Sequence, residues 1–238
     1  MASRQERKEQ LRREREAREA ATQSAQGRRR LIGYAAGAAI AAVAAIAAIA
    51  LLGGGDGDGT AANASVYPAG GSVPSLGATD DLEAAAKAAG CELRSYRAKS
   101  RKHLTDLSQK VDYASSPPTS GMHYQEWADD QAYSDPPDVK MLVHTLEHGR
   151  IVIWFKKSLP ADQRAALKKY FDEDSYQMVL VPDTTGMPYA VAATAWNRDP
   201  QPNGTGRLLG CAKYDDAIFT AIESFKDENR SRGPEPVP

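Results

Sequence analysis

One stretch constrains this chain more than any other. Residues 31–52, LIGYAAGAAIAAVAAIAAIALL, run for 22 positions without a charged side chain. As a helix rising about 1.5 Å per residue the run spans about 33 Å, enough for a bilayer core of about 30 Å. The charges beside it are lopsided. Residues 1–30 carry ten Lys/Arg against five Asp/Glu, and the remainder of the chain carries 20 against 26. Gly53, Gly54, Gly55, Asp56 and Asp58 follow the apolar run at once. Cationic segments stay on the cytoplasmic side, so this step predicts a cytoplasmic N-terminus and an outer C-terminal region. The near-balanced total charge excludes nucleic-acid binding by bulk charge.

The expected organisation follows. Residues 1–30 form a charged cytoplasmic tail, 31–52 a single transmembrane helix and 53–78 a flexible Gly/Ala/Ser/Pro linker. Residues 79–230 form one extracytoplasmic domain and 231–238 a disordered tail. The alternative to an uncleaved anchor is a cleaved signal: Arg28, Arg29 and Arg30 before Leu31 resemble a twin-arginine export signal, and Ala48-Ile49-Ala50 is a small-x-small site. Gly33, Gly37, Ala41 and Ala45 form a small-residue stripe, which permits a homodimer through the membrane helix.

Within residues 79–230, hydrophobic periodicity predicts a small α+β domain. A short helix capped by Thr79/Asp80 stops at Gly90, and a strand covers Glu92–Tyr96. Residues 139–149 (VKMLVHTLEHG) have helical spacing, and Ile151–Phe155 (IVIWF) reads as a strand. Pro160 opens a helix, Gln177–Val181 and Tyr189–Trp196 read as strands, and Asp215–Glu228 reads as the closing helix.

Two residue sets carry chemistry. Cys91 and Cys211 both lie on the predicted outer side, where an oxidising environment favours a disulfide closing a loop of about 120 residues. The four histidines, His103, His123, His144 and His148, are confined to a short span of the chain. His144 and His148 stand at i,i+4 and share a helical face, with Met141 one turn before His144. His123 sits in a Pro-Pro loop, beside Met122. Imidazoles with a thioether suit copper, and imidazoles alone also suit zinc. His123, His144 and His148 are therefore expected to converge as metal ligands, with His103, Met141 and Met122 as further candidates. Glu147 is expected to orient a neighbour. The plain alternative is that these histidines only satisfy core hydrogen bonds. His144-Thr145-Leu146-Glu147-His148 also matches the inverted zinc-peptidase signature, with Glu147 as base and Glu223 as a distant ligand.

The motifs YASSPPTSGMHY (113–124), HTLEHG (144–149) and Thr194-Ala195-Trp196 before a closing helix together resemble the DUF3105 family. That family is of unknown function and is found in actinobacterial membrane or exported proteins. The resemblance covers about residues 90–235. It carries His123, His144, Glu147 and His148 onto the family pattern and matches His103 more loosely. Asn197 stands where the family has Gly, and Asp199–Gly206 lengthens the loop that follows. The resemblance implies no activity. Three classes stand: a membrane-anchored extracytoplasmic domain binding copper, else zinc; a structural or protein-interaction domain of the cell envelope; and, remotely, a metal-dependent hydrolase.

Overall fold

The computed structural model describes residues 66–77 and 81–235. The expected tail, membrane segment and first part of the linker lie outside the described residues. Among the described residues no helix is long and apolar enough to cross a membrane.

The elements in chain order are α1 (Leu82–Ala88), β1 (Cys91–Arg97), β2 (His103–Leu104), β3 (His123–Tyr124), α2 (Val139–Glu147), β4 (Ile151–Phe155), α3 (Ala161–Glu173), β5 (Met178–Pro182), β6 (Val191–Asn197), β7 (Thr205–Cys211) and α4 (Ile218–Asn229). The small α+β domain is thus present. Its main sheet is mixed, in the order β1-β7-β6-β4-β5. Each neighbouring pair is antiparallel except β4 and β5, which run parallel on either side of the α3 crossover. A second sheet, two residues per strand, pairs β2 with β3 in parallel and places His103 opposite His123.

Successive strand residues face opposite sides of a sheet, and here both sides are covered. Ile151, Ile153 and Phe155 of β4 join Leu167 and Phe171 of α3, Phe219, Ile222 and Phe225 of α4, and Leu82 of α1 in one apolar cluster. Val152 and Trp154 point the other way, with Val179, Val181 and Trp196, onto Leu142, Val143 and Leu146 of α2. Three helices therefore cover one face. The other face has α2 together with loops, and the histidines lie there.

β7 was not anticipated. Its sequence, TGRLLGC, holds two glycines and an arginine and is a weak strand former alone. It is held between β1 and β6. Cys91 and Cys211 are register partners on β1 and β7 and form a disulfide across the two strands. The cap of α1 is Asp81, whose carboxylate accepts from the Glu83 and Ala84 amides, in place of the expected Thr79/Asp80. The closing helix starts at Ile218, because Asp215 spends its carbonyl and carboxylate on a turn to Ile218 and Ala217.

Residues 66–77 and 231–235, whose composition reads as linker and tail, lie against this body. Tyr67 donates its hydroxyl to the Tyr133 and Leu180 carbonyls, and Arg164 donates to the Val66 carbonyl. At the other end the Ser231 and Glu235 amides donate to the Gly149 and Glu147 carbonyls. These are backbone groups that α2 leaves unpaired at its C-terminus.

Candidate metal site

Helix α2 sets two of the site's side chains. Asp138 caps it by accepting from the Lys140 amide, and Leu142, Val143 and Leu146 press its inner side onto the sheet. That packing leaves His144 and Glu147 facing the loops. Gly149, at φ +82°, ends the helix, and an added Cβ there would come within 2.9 Å of the Gly233 amide nitrogen.

The loop 113–123 docks on β7 and β6. Thr119 is buried and fits where Gly206 has no side chain; a Cβ at Gly206 would strike it. Ser116 bonds the Thr185 hydroxyl at 2.9 Å, and Tyr113 donates to the Met122 carbonyl at 3.0 Å. The loop's end delivers His123, fully buried, edge-on against Trp196 with ring centroids 5.7 Å apart.

His103, His123 and His144 form a triangle of rings, with centroids 4.5, 4.8 and 4.8 Å apart. One donor atom from each, together with a Glu147 carboxylate oxygen, lies within 4.8 Å of all the others. A group of this kind could hold a metal ion. The tautomers are set by what the rings bond. His123 Nδ1 lies 2.8 Å from the Gly121 carbonyl, and His144 Nδ1 lies 2.8 Å from the Tyr124 carbonyl. A carbonyl only accepts, so each Nδ1 carries a proton, and in a neutral ring the lone pair stands at Nε2. This is the outer hydrogen-bonding pattern of metal-binding histidines.

His123 Nε2 touches Glu147 Oε2 at 2.9 Å. The two atoms are not aligned as a hydrogen bond; both are buried and neither has a partner. Buried polar atoms are normally satisfied, so such a pair calls for an explanation. A lone pair facing a carboxylate oxygen at this distance is stable only with a cation beside both, either a proton or a metal ion.

Glu147 is fully buried, and Arg101 Nε donates to its Oε1 at 2.6 Å. Burial works to raise its pKa, but His123 in its protonated form and Arg101 outweigh it and hold the carboxyl down at about 2. Burial and the neighbouring His123 push His144 down to about 4. Burial and the neighbouring His144 do the same to His148.

Two of the three histidines expected to converge do so. His148 does not join: it stands one turn along from His144, ring centroids 4.5 Å apart, and outside the group of four. Its place is taken by His103, brought in by the β2–β3 pairing. Glu147 is drawn into the group itself. Met122 and Met141 are half-buried, and it is their carbonyls that bond, to Tyr113 and Thr145. Glu223 lies on α4, bonded to Tyr170 and Lys226, so the peptidase arrangement of His144, His148 and Glu223 is not built. Arg101 was missed. It stands two residues before His103, and both side chains reach Glu147. Trp127 stands edge-on to His144 and His148.

The DUF3105 model, described as a protein of unknown function, matches residues 104–237, more than half of the chain. This protein belongs to the DUF3105 family. The match starts one residue after His103 and contains His123, His144, Glu147 and His148. No curated protein and no solved structure matches the chain.

Proposed function

We propose that this DUF3105 protein is a membrane-anchored, extracytoplasmic metal-binding domain that takes copper(II) in preference to zinc through His103, His123, His144 and Glu147. The observation that carries this is the unpartnered pair His123 Nε2 and Glu147 Oε2 inside a ring of three imidazoles. Imidazole nitrogens with a carboxylate oxygen suit copper(II), which tops the affinity order of divalent first-row metals. The anchor is supported by the uncharged run 31–52 with its charge step, and the outer location also by the Cys91–Cys211 disulfide, which persists in oxidising compartments.

Calorimetry with copper and zinc on the full chain and on His144→Ala tests the site. Stoichiometric binding that His144→Ala abolishes supports it; no binding to the unaltered chain overturns it. For topology, protease on intact protoplasts is expected to remove the C-terminal domain, and its protection would end that part of the reading.

The same pair favours one rival. If the cation is a proton on His123 Nε2, then Arg101, Glu147 and His123 form a buried ion triad that ties the 113–123 loop to α2, and the domain is structural. Nitrogen-15 NMR of the metal-free protein at neutral pH distinguishes the two: a neutral His123 ring supports a metal site, and an imidazolium supports the triad.

A further inference from the structure

The four donors are not equivalent. Glu147 and His123 are fully buried and His144 nearly so, while the His103 side chain is 42% exposed. His123 and His144 are each fixed through Nδ1 by a backbone carbonyl, and Glu147 is fixed by Arg101. Among the described residues no hydrogen bond fixes the His103 ring. Its nearest charged neighbour is Glu147 Oε2, 3.5 Å from Nε2. Its backbone is held by a strand of two residues.

Resting on the metal-site reading above, we infer that His103 is the exchangeable ligand: the ion enters and leaves over it, and the site loads and releases metal rather than locking it in. In the exchange step the His103–metal bond breaks and its electron pair returns to Nε2. An incoming donor, an imidazole of a partner or of a small carrier, places its lone pair on the ion from the solvent side. No electron changes hands. The three fixed donors keep the ion in place while the fourth is swapped, and release is complete when further incoming donors replace them, each electron pair returning to its own nitrogen or oxygen. Preorganised ligands lose little entropy on binding, whereas His103 must be ordered each time, so removing it costs little affinity for its contribution to access.

Trp127, 46% exposed, flanks the same opening, edge-on to His144 at 5.6 Å, while Trp196 lies buried on the His123 side. Both indoles stand close enough to the donors for a bound copper(II) ion to quench them, which gives a direct readout.

The experiment loads the full chain with copper(II) and follows recovery of tryptophan fluorescence after excess EDTA, for the unaltered protein, His103→Ala, His123→Ala and His144→Ala. His103→Ala is expected to bind one equivalent and to release it about tenfold faster, since such changes fall mainly on the dissociation rate. Imidazole at millimolar concentration should slow that release again by refilling the vacated position. His123→Ala and His144→Ala should not retain stoichiometric copper. Release from His103→Ala at the unaltered rate, or faster release that imidazole leaves unchanged, overturns the exchange role and leaves the metal site standing. Loss of stoichiometric copper from His103→Ala, equal to the loss in His123→Ala, makes it a fixed ligand and also overturns the exchange role. No copper on the unaltered chain overturns both readings.

Discussion

The two faces of the sheet each bury a polar cluster, and the clusters are opposites. Under α3 and α4, Lys226 is buried yet fully paired: Nζ donates to Asp174 at 3.0 Å and Glu223 at 2.6 Å, Tyr170 donates to Glu223 at 2.6 Å, and Arg230 donates to Asp174 at 2.7 Å. Charge is balanced by charge and each carboxylate meets a donor. Under the loops and α2, His123 Nε2, Glu147 Oε2 and His148 Nδ1 are buried with no hydrogen-bond partner. The first cluster is complete within the chain. The second leaves those three atoms unpaired. That difference, more than burial or charge in themselves, is what the proposed metal site rests on.

Acid should separate the clusters most clearly. His144 and His148 titrate at about 4 in the fold because burial disfavours their charged forms, against about 6.5 when unfolded. The unfolded chain therefore binds more protons between these values. Their contribution is fully present above pH 6.5 and is lost as pH falls towards 4, at most about 3 kcal/mol per ring. Burial works to raise Asp174, but Lys226 and Arg230 hold it below its ordinary 3.8, so its contribution persists until pH falls below that value. Urea unfolding of the metal-free full chain should show a marked drop between pH 7 and 4.5; a flat profile would mean the two histidines are not buried as neutral rings.

Breaking the paired cluster comes next. Lys226→Met leaves Glu223 and Asp174 without their buried cation, a change that costs about 3–5 kcal/mol where both partners are fully buried. Here the carboxylates are 29% and 38% exposed and Arg230 remains on Asp174, so about 2 kcal/mol is expected by thermal melting. Copper affinity should be unchanged, and a copper defect in this variant would show the two faces to be coupled.

Gly206→Ala attacks the other face through its scaffold. The new methyl group meets Thr119 and must push the 113–123 loop off β7, at about 1–3 kcal/mol for overpacking. Copper affinity should fall with it, because His123 rides on that loop. Retained affinity would show that His123 is positioned by something other than the Thr119 contact.

The smallest expected change in stability is that of Glu147→Gln. Arg101 loses an ion pair but is 30% exposed and can turn to water or to Glu235, so about 1 kcal/mol is expected. Copper affinity, by contrast, should fall by about tenfold or more with loss of the anionic donor. A large loss of stability with unchanged copper binding would favour the ion-triad reading.

Local pattern identified helices α1 to α4 and strands β1, β4, β5 and β6, most of them through an apolar face long enough to be read locally. The cysteines were paired from the compartment that the charge step predicts. β7 was hidden because TGRLLGC has no such face; its strand character comes from neighbours on both sides and from the bond to Cys91. The same limit governed the site. His144 and Glu147 were legible as members of one short helix, since a helix fixes its own geometry. Spacing at i,i+4 then suggested His148 as the partner of His144. But α2 turns to the sheet by its Leu142, Val143 and Leu146 side, and that rotation brings His144 and Glu147 to His103 and His123 while His148 meets Trp127 instead. Which histidine completes the set was decided by the pairing of β2 with β3 and by the fit of Thr119 against Gly206. Those contacts join residues far apart in the chain, and no local pattern encodes a distance that only folding creates.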